Sequence, residues 1–378
     1  MNENWLPYAA AIRTEVLDPI KSRLIGKDEI VEVLGISLVA GENTFLLGPP
    51  GTGKSALVHE LAARLGGRSF DYLLTRFTEP SELFGPFDLR KLREGDLVTN
   101  TEGMLPEADF VFLDELLNAN SAVLNSLLAA LNERVFRRGR EKTKLPMLIA
   151  IGASNRLPED EALQALFDRF LLRVHCGNVE TDRLGEVLDA GRARERNTES
   201  ASSLSVAAIR TLQTAILDVD LSLARPALIE IIKQLRQAGM SISDRRAVRL
   251  QRVIAASAVV SGRTLALASD LWPLRMIWDA PAQIEMLQSH VQNVIEKFAK
   301  KEPHEDVREH PLANPDRGPD PELLNRSLEA LAQAIGSTNV ADSLSLLAAR
   351  VEWVQNDSAR DHLRQKVNDL RTTITTPK

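Results

Sequence analysis

Residues 48–55 read Gly48-Pro49-Pro50-Gly51-Thr52-Gly53-Lys54-Ser55. The preceding run, Thr44-Phe45-Leu46-Leu47, is apolar and predicts a buried strand. The following segment, 56–65, carries leucine at every fourth position, which predicts a helix that ends at Gly66-Gly67. A glycine-rich loop between a strand and a helix is the context that a phosphate-binding loop requires.

The residue types of this loop suit the binding of a nucleoside triphosphate. Glycines allow backbone N–H groups to turn inward around an anion, and the N-terminus of the following helix adds a favourable dipole. We expect Lys54 to reach the β- and γ-phosphates and the Ser55 hydroxyl to bind Mg²⁺. A flexible turn without a ligand is the alternative, which the flanking elements disfavour. The loop therefore predicts a protein that binds a nucleoside triphosphate.

Polar residues end two further apolar runs. Residues 110–115 end in Asp114, which can hold Mg²⁺ through water, and Glu115, which can polarise an attacking water. Two acids after a strand often only begin a solvated loop, but their place after the phosphate loop favours the catalytic interpretation. Asn155 follows another apolar run and would lie at the carboxyl end of its strand, where open α/β sheets bind ligands. An asparagine in a turn is the alternative for this residue.

Five apolar runs are strand candidates, and they alternate with helical patterns. This order predicts an α/β fold with a mostly parallel five-stranded sheet between helices. After Gly177 the pattern is helical throughout, interrupted by a proline-rich stretch that predicts an extended linker. The candidate strands are 44–47, 70–74, 110–115, 145–151 and 168–174. The expected domains are a nucleotide-binding core at 1–177, an all-helical domain at 178–301, the linker at 302–321 and a C-terminal helical bundle at 322–378.

Composition excludes several classes of protein. No apolar run approaches the length of a membrane span, and the N-terminus lacks the pattern of a secretory signal. The single cysteine, Cys176, excludes a disulfide framework within the chain and fits a reducing cytosol. The formal net charge of −6 gives no overall attraction to nucleic acid. We therefore expect a cytoplasmic protein without a membrane span.

Several motifs, in the right order, resemble those of AAA+ ATPases of the MoxR type. The resemblance is closest to the branch called regulatory ATPase variant A, and it spans roughly residues 20–300. The resemblance rests mainly on two motifs, the phosphate loop as Walker A and Leu113-Asp114-Glu115 as Walker B. Further segments that resemble this family are 75–77, 82–86, 124–134, 154–155, 166–169 and 243–246.

The resemblance implies an ATP hydrolase whose site is shared between neighbouring subunits, usually in a hexameric ring, with ATP and Mg²⁺ as cofactors. Asn155 would be sensor 1, Arg169 the arginine finger given to the adjacent subunit, and Arg245 the sensor 2 residue of a helical lid at 178–301. Ile25 and Gly26 match the segment that touches adenine. Surface salt bridges are the alternative for the arginines. The nucleotide contacts of the loop would be Gly48, Pro49, Pro50, Gly51, Thr52, Gly53, Lys54, Ser55 and Ala56.

The resemblance also implies a chaperone-like ATPase that remodels or activates a partner protein, commonly one with a von Willebrand factor A domain. The named branch carries an extra small domain between its C-terminal helices, and this chain is too short to hold one. A partner recruited through that domain is therefore not implied. The excursion at 84–106 corresponds to an insert that similar ATPases use near the pore or substrate face. A nucleic-acid-directed AAA+ motor or loader is the alternative function, favoured only by local basic clusters such as 134–140.

Overall fold

The structure is a computed structural model, and it describes residues 4–94, 98–138, 141–196, 204–299, 310–313, 321–333, 340–351, 354 and 357–375. The chain forms two compact units. The first unit is Ile20–Val206. The second combines Met1–Pro19 with Ala207–Lys378.

The strands, in chain order, are β1 (Thr44–Leu47), β2 (Leu65–Gly66), β3 (Ser69–Leu73), β4 (Phe110–Asp114), β5 (Val135–Arg138), β6 (Glu141–Lys144), β7 (Ile149–Ser154), β8 (Leu172–His175) and β9 (Leu204–Ser205). The α-helices are α1 (Leu6–Ala11), α2 (Asp18–Arg23), α3 (Asp28–Ala40), α4 (Lys54–Arg64), α5 (Pro80–Phe84), α6 (Leu89–Arg93), α7 (Ser121–Glu133), α8 (Glu161–Phe167), α9 (Leu184–Arg196), α10 (Val206–Ala215), α11 (Ala224–Gln237), α12 (Asp244–Val260), α13 (Ile284–Ala299), α14 (Pro321–Gln333), α15 (Val340–Val351) and α16 (Asp357–Thr375). A π-helix spans Ile12–Leu17, and 3-10 helices span Leu105–Glu107, Leu116–Asn118, Thr181–Arg183, Ile216–Asp218, Ala268–Met276, Pro281–Gln283 and Pro311–Ala313.

Five strands form one parallel sheet in the order β3-β4-β7-β1-β8. In this sheet Leu47 at the end of β1 is level with Ser154 of β7 and with His175 of β8. Because every pair is parallel, the carboxyl ends of all five strands lie at the same edge. β1 and β7 are buried along their whole length, as expected for parallel strands covered on both faces. The predicted α/β fold with a five-stranded, mostly parallel sheet is confirmed.

Two strands begin later than the sequence predicted, and β8 starts at Leu172 rather than at residue 168. β7 starts at Ile149 rather than at residue 145, because Leu145 belongs to the base of a hairpin. Its N–H donates to the carbonyl of Arg134 at 2.8 Å and closes the antiparallel pair β5–β6. The basic cluster at 134–140 therefore supplies strand β5, although residues 139 and 140 lie outside the described part of the chain.

The excursion at 84–106 leaves the sheet between α5 and β4. An isolated antiparallel bridge pairs Phe87 with Thr99. At its base, Gly85 has a φ of +97°, and a Cβ there would lie 1.8 Å from the carbonyl oxygen of Asn100. Glycine is therefore required at this turn, for its conformation and for the close approach of the two chain segments.

The helical part of the second unit contains a buried ion pair. Arg263 donates to both oxygens of the Asp270 carboxylate, at 2.8 and 2.7 Å, and the Ser257 hydroxyl donates to it at 2.7 Å. Asp270 is fully buried, so these donors replace the water that the carboxylate lost on folding. The ion pair fixes the 3-10 helix at 268–276 beside α12.

The C-terminal helices α14, α15 and α16 share an apolar core in the same unit. α15 also contacts α1 and the π-helix at 12–17, so the two ends of the chain pack together. The buried residues of the C-terminal core are Leu324, Leu328, Leu344, Leu347, Val351, Val354, Leu363 and Val367.

The π-helix lies directly before a proline within the N-terminal helical segment. Pro19 has no N–H, and its ring would meet the carbonyl four residues earlier in a regular α-helix. The π-helix has a wider turn than an α-helix, and this turn accommodates the proline. In it the Asp18 N–H donates to the Arg13 carbonyl, five residues back. The proline therefore does not end the helical segment, since α2 continues to Arg23.

This grouping is coarser than the four domains expected from the sequence, which stay a prediction. Residues 1–19 group with the helical unit rather than with the sheet, because α1 packs against α12 and α15. The predicted linker at 302–321 lies mostly outside the described residues. Among the described helices, none is both long enough and apolar enough to cross a membrane.

Leu347 tests the C-terminal core, because it is fully buried there. Leu347→Ala removes buried methyl groups and leaves a cavity, so the free energy of unfolding should fall by about 2–5 kcal/mol. Leu217→Ala is the control, at a leucine of the same unit that is 70% exposed, and should change it by less than about 0.5 kcal/mol. Chemical denaturation followed by circular dichroism measures both. Equal effects of the two substitutions would contradict a packed C-terminal core.

Candidate functional site

The predicted phosphate loop lies at the carboxyl edge of the sheet, between β1 and α4. Gly51 and Gly53 have φ angles of +82° and +84°, a left-handed conformation that favours glycine. Gly48 packs against the chain after β8, where a Cβ would lie 2.1 Å from the Cys176 carbonyl oxygen. Three glycines are therefore required here by the backbone itself.

Lys54 places a buried positive charge within this loop. Its Nζ donates to the carbonyl oxygens of Gly48 at 2.7 Å and Pro49 at 2.9 Å. The Thr52 hydroxyl donates to the same Pro49 carbonyl at 2.9 Å. Because Lys54 is also the first residue of α4, its charge and the helix N-terminus favour an anion at the same place.

Ser55 and Asp114 join the two predicted halves of the site. The Ser55 hydroxyl donates to Oδ2 of Asp114 at 3.1 Å, although the two residues come from different elements, α4 and β4. Hydroxyl and carboxylate oxygens are the ligands that Mg²⁺ prefers, and this ion commonly takes its remaining ligands from water and substrate phosphates. The pair thus fits a magnesium ion beside a bound triphosphate. Among the described residues no group of three His, Cys, Asp or Glu could form a metal site from the protein alone.

Glu115 follows Asp114 with an unusual backbone conformation. Its φ of 49° and ψ of 40° are left-handed, and its N–H donates to Oδ1 of Asp114 at 2.9 Å. Burial raises the pKa of the Glu115 carboxyl above its ordinary value, and the Asp114 carboxylate raises it further. The positive charges of Lys54 and Arg156 oppose this shift of the Glu115 pKa. Glu115 is therefore a stronger base than an exposed glutamate, close to the cation of the phosphate loop.

Asn155 lies at the same edge, directly after β7, and it is exposed. β7 is the strand between β4 and β1, so Asn155 comes between the end of β4 and the phosphate loop along the sheet edge. The structure therefore brings Asn155 together with Ser55, Asp114 and Glu115.

The predicted adenine segment approaches the loop through the chain that follows β8. Gly26 has a φ of +71°, and a Cβ there would lie 3.1 Å from the side chain of Val179. The neighbouring Lys27 donates to the Gly177 carbonyl at 2.5 Å. Because Cys176 in the same segment touches Gly48, residues 176–179 connect the turn at Ile25-Gly26 with the phosphate loop.

Arg169 lies away from these residues, at the amino edge of the sheet. It precedes β8, whose first residue Leu172 is level with Thr44, the first residue of β1. Its carbonyl accepts from the Asn43 amide at 3.4 Å, and its guanidinium donates to the Asn132 side chain at 3.4 Å. The four residues of β1, which span roughly 10 Å in three steps, separate this edge from the loop of the same subunit.

The remaining arginines of the predicted motifs have different surroundings. Arg245 is exposed in the first turn of α12, in the second unit. Arg246 makes a salt bridge, as the sequence favoured for this arginine, with Asp279 at 3.0 Å. Arg173 also pairs with a carboxylate, that of Asp168 at 3.3 Å, but it is buried rather than on the surface.

Sequence reasoning missed Arg156 and Lys27 as neighbours of the site. Each directly follows a predicted site residue, Asn155 and Gly26, and this adjacency was the available signal. It could not show the partners, because the Leu117 carbonyl and the Gly177 carbonyl approach these side chains only in the folded chain.

Comparisons with known proteins identify the family of this chain. Residues 10–214 match the family described as "MoxR domain in the MoxR-vWA-beta-propeller ternary systems", and residues 226–291 match an AAA lid domain. The chain belongs to the MoxR family of AAA+ ATPases. The matched lid lies inside the helical region that the sequence predicted at 178–301.

Relatives of this MoxR protein come from archaea and bacteria. An uncharacterized protein of Methanocaldococcus jannaschii is 33% identical over 288 residues, 75% of this chain and 76% of the relative. Chaperone MoxR1 of Mycobacterium tuberculosis is 26% identical over 173 residues, 45% of each chain. A crystal structure of a candidate ATPase from Cytophaga hutchinsonii has a TM-score of 0.63 at 20% identity, covering 79% of this chain and 97% of its own. At that identity the likeness shows the fold alone.

Gly48 tests the construction of the phosphate loop in the MoxR core. Gly48→Ala would place a Cβ against the Cys176 carbonyl, so the loop must shift. We expect the affinity for ATP to fall by about 10- to 100-fold, the cost of ordinary overpacking. Gly185→Ala in α9 is the control, because a Cβ there meets nothing within 4 Å. Titration with a fluorescent ATP analogue measures both variants, and unchanged affinity in Gly48→Ala would contradict the close contact.

Proposed function

We propose that this protein hydrolyses ATP with Mg²⁺ at the carboxyl edge of its sheet. The hydrogen bond between Ser55 and Asp114 carries the proposal, because it joins the phosphate loop to the strand that ends in Glu115. A cation, a magnesium-type oxygen pair and a base are thereby collected at one place. These are the parts that phosphoryl transfer to water needs.

Each residue then has a role. Lys54 binds the β- and γ-phosphates within the loop of residues 48–56, and the turn at Ile25-Gly26 contacts adenine. Ser55 and Asp114 hold Mg²⁺, which when bound neutralises charge on the phosphates. Glu115 accepts the proton of the attacking water, a task that its raised pKa suits. Asn155 hydrogen-bonds that water or the γ-phosphate.

We further propose that the site is completed by a neighbouring subunit in a ring, with a hexamer as the expected form. The position of Arg169 supports this, since it lies at the sheet edge opposite the phosphate loop of its own chain. An arginine there can reach a γ-phosphate only in another subunit, where it would stabilise the charge of the transition state. Arg245 as sensor 2 remains a prediction from the resemblance.

The partner is proposed to be a protein that the ATPase remodels or activates, with a von Willebrand factor A domain as the first candidate. The description of the matched family names MoxR-vWA systems, and one relative is named a chaperone. The regulatory ATPase variant A branch and a cytoplasmic location stay predictions from the sequence. In the basic cluster at 134–140, Arg137 is paired with Glu133 at 2.6 Å and Arg134 binds oxygens of Gly41 and Asn43, so these two charges add no support for the nucleic-acid alternative.

Glu115→Gln tests the reaction. The variant should bind ATP normally but hydrolyse it about 10²- to 10⁴-fold more slowly, because glutamine cannot accept the proton. Lys54→Ala is the contrasting variant and should lose tight ATP binding, because the loop loses its buried cation. Phosphate release and binding of a fluorescent ATP analogue separate the two effects. Near-normal turnover by Glu115→Gln would show that the Walker B assignment is wrong.

Mixing Arg169→Ala subunits with Lys54→Ala subunits tests the shared site. Each variant alone should be inactive, with Arg169→Ala losing about 10³- to 10⁵-fold in rate, as for other arginine fingers. In a mixed assembly, an intact loop from the first variant meets an intact Arg169 from the second, so part of the activity should return. No return despite demonstrated co-assembly would count against a site shared between subunits.

A further inference from the structure

The turn that carries Glu115 is held in a conformation that an unsupported chain would avoid. Glu115 is left-handed, and a 3-10 helix, Leu116–Asn118, follows it at once. A left-handed residue with a Cβ persists only where its surroundings fix it. Within the turn itself, the Asn118 N–H donates to the Glu115 carbonyl at 2.9 Å. Further support must come from outside the turn.

Arg156 supplies that support from the neighbouring strand. One of its terminal nitrogens donates to the Leu117 carbonyl at 3.2 Å and to the Asn118 side-chain oxygen at 3.0 Å. The other donates to the Glu159 carboxylate at 2.9 Å. A planar guanidinium can hold acceptors of two segments in fixed directions at once, which a lysine ammonium does less well.

A second contact fixes the same turn to β7. Leu116 is fully buried, and its Cδ2 would lie 2.7 Å from a Cβ placed on Gly152. Gly152 thus allows β7 to approach the first residue of the turn, while Arg156 binds its last two residues. Between these two anchors on the β7 chain lies Asn155, the predicted sensor.

We propose that Arg156 is a positioning residue for ATP hydrolysis, which sets the position of Glu115 relative to Asn155. The inference rests on the proposed function. Both terminal nitrogens of its guanidinium are engaged with the protein, so Arg156 acts through the turn and does not contact the phosphates. Its removal should leave ATP binding intact and impair the chemical step, because small displacements of a catalytic group cost rate more than affinity.

Arg156→Ala should lower kcat by about 10- to 100-fold, with the ATP dissociation constant unchanged. Asn118→Ala removes one acceptor of the same guanidinium and should lower kcat less. The double variant should be no slower than Arg156→Ala, because the Asn118 side chain acts through Arg156. Glu159→Gln is the matched control. It removes only an exposed ion-pair partner and should keep nearly full activity.

Two results would overturn the proposal. If the two losses multiplied in the double variant, or if the amides of the turn exchanged no faster in Arg156→Ala, Arg156 would not act through the turn. If Arg156→Ala weakened ATP binding as much as it lowered kcat, a direct contact with the nucleotide would replace positioning.

Hydrogen exchange tests the same contacts without relying on turnover. The amides of residues 116–119 should exchange faster in Arg156→Ala than in the wild type or in Glu159→Gln. If the wild type itself proved unable to hydrolyse ATP, the proposed function would fail. The exchange result would still decide whether Arg156 holds the turn, and unchanged exchange would refute it.

Discussion

The parallel pairing of β1 with β7 and β8 is the constraint on which the candidate site depends. The pairing continues past the end of β1, where the Gly48 N–H donates to the Ser154 carbonyl at 3.0 Å and the Cys176 N–H to the Leu47 carbonyl at 2.7 Å. The entry to the phosphate loop is therefore fixed from both sides by the sheet. Since β7 separates β1 from β4, the same pairing determines how far Asn155 and Asp114 stand from the loop.

Because the sheet is parallel, the predicted site residues of the proposed ATPase lie at two different places, the carboxyl ends and the amino ends of the strands. Residues at the ends of strands gather at the edge that holds the phosphate loop, whereas Arg169 precedes a strand and lies at the other edge. If the amino-end surface of one copy met the carboxyl-end surface of another, a head-to-tail contact, the first copy's Arg169 would come close to the second copy's phosphate loop. Repeated head-to-tail contacts of this kind close into rings when the rotation allows. The polarity of the sheet thus explains both why Ser55, Asp114 and Asn155 lie near one another and why Arg169 lies away from them.

The sequence was sufficient for the features that local residue types determine. Short stretches of sequence are enough to predict the glycine pattern at 48–55, the acids at the end of β4 and the five strands. The sheet and the phosphate loop follow from these features. The partners of Arg156, the hairpin at 135–144 and the packing of α1 against α15 depend on contacts between distant segments, which periodicity does not record. The predicted first residue of the strand at 145–151 was wrong for the same reason. Leu145 is as apolar as a strand residue, but its N–H is used by the hairpin.

Backbone strain gives an argument for Glu115 that is independent of any motif. Among the described residues, the non-glycine positions with positive φ are Glu115 and Arg134. Glycine at either position would avoid the conformational cost of a positive φ. A residue with a side chain there indicates that the side chain has a role that outweighs this cost. Arg134 does so structurally, since it donates to the carbonyl of Gly41 at 3.2 Å and to the Asn43 side chain at 2.9 Å. The Glu115 carboxylate has no comparable set of hydrogen-bond donors among the described residues, and its pKa is raised by burial and by the neighbouring Asp114 carboxylate. A strained, partly buried carboxylate that does little for the fold is better explained by chemistry than by stability, which supports the proposed role of Glu115 as the base that removes a proton from water.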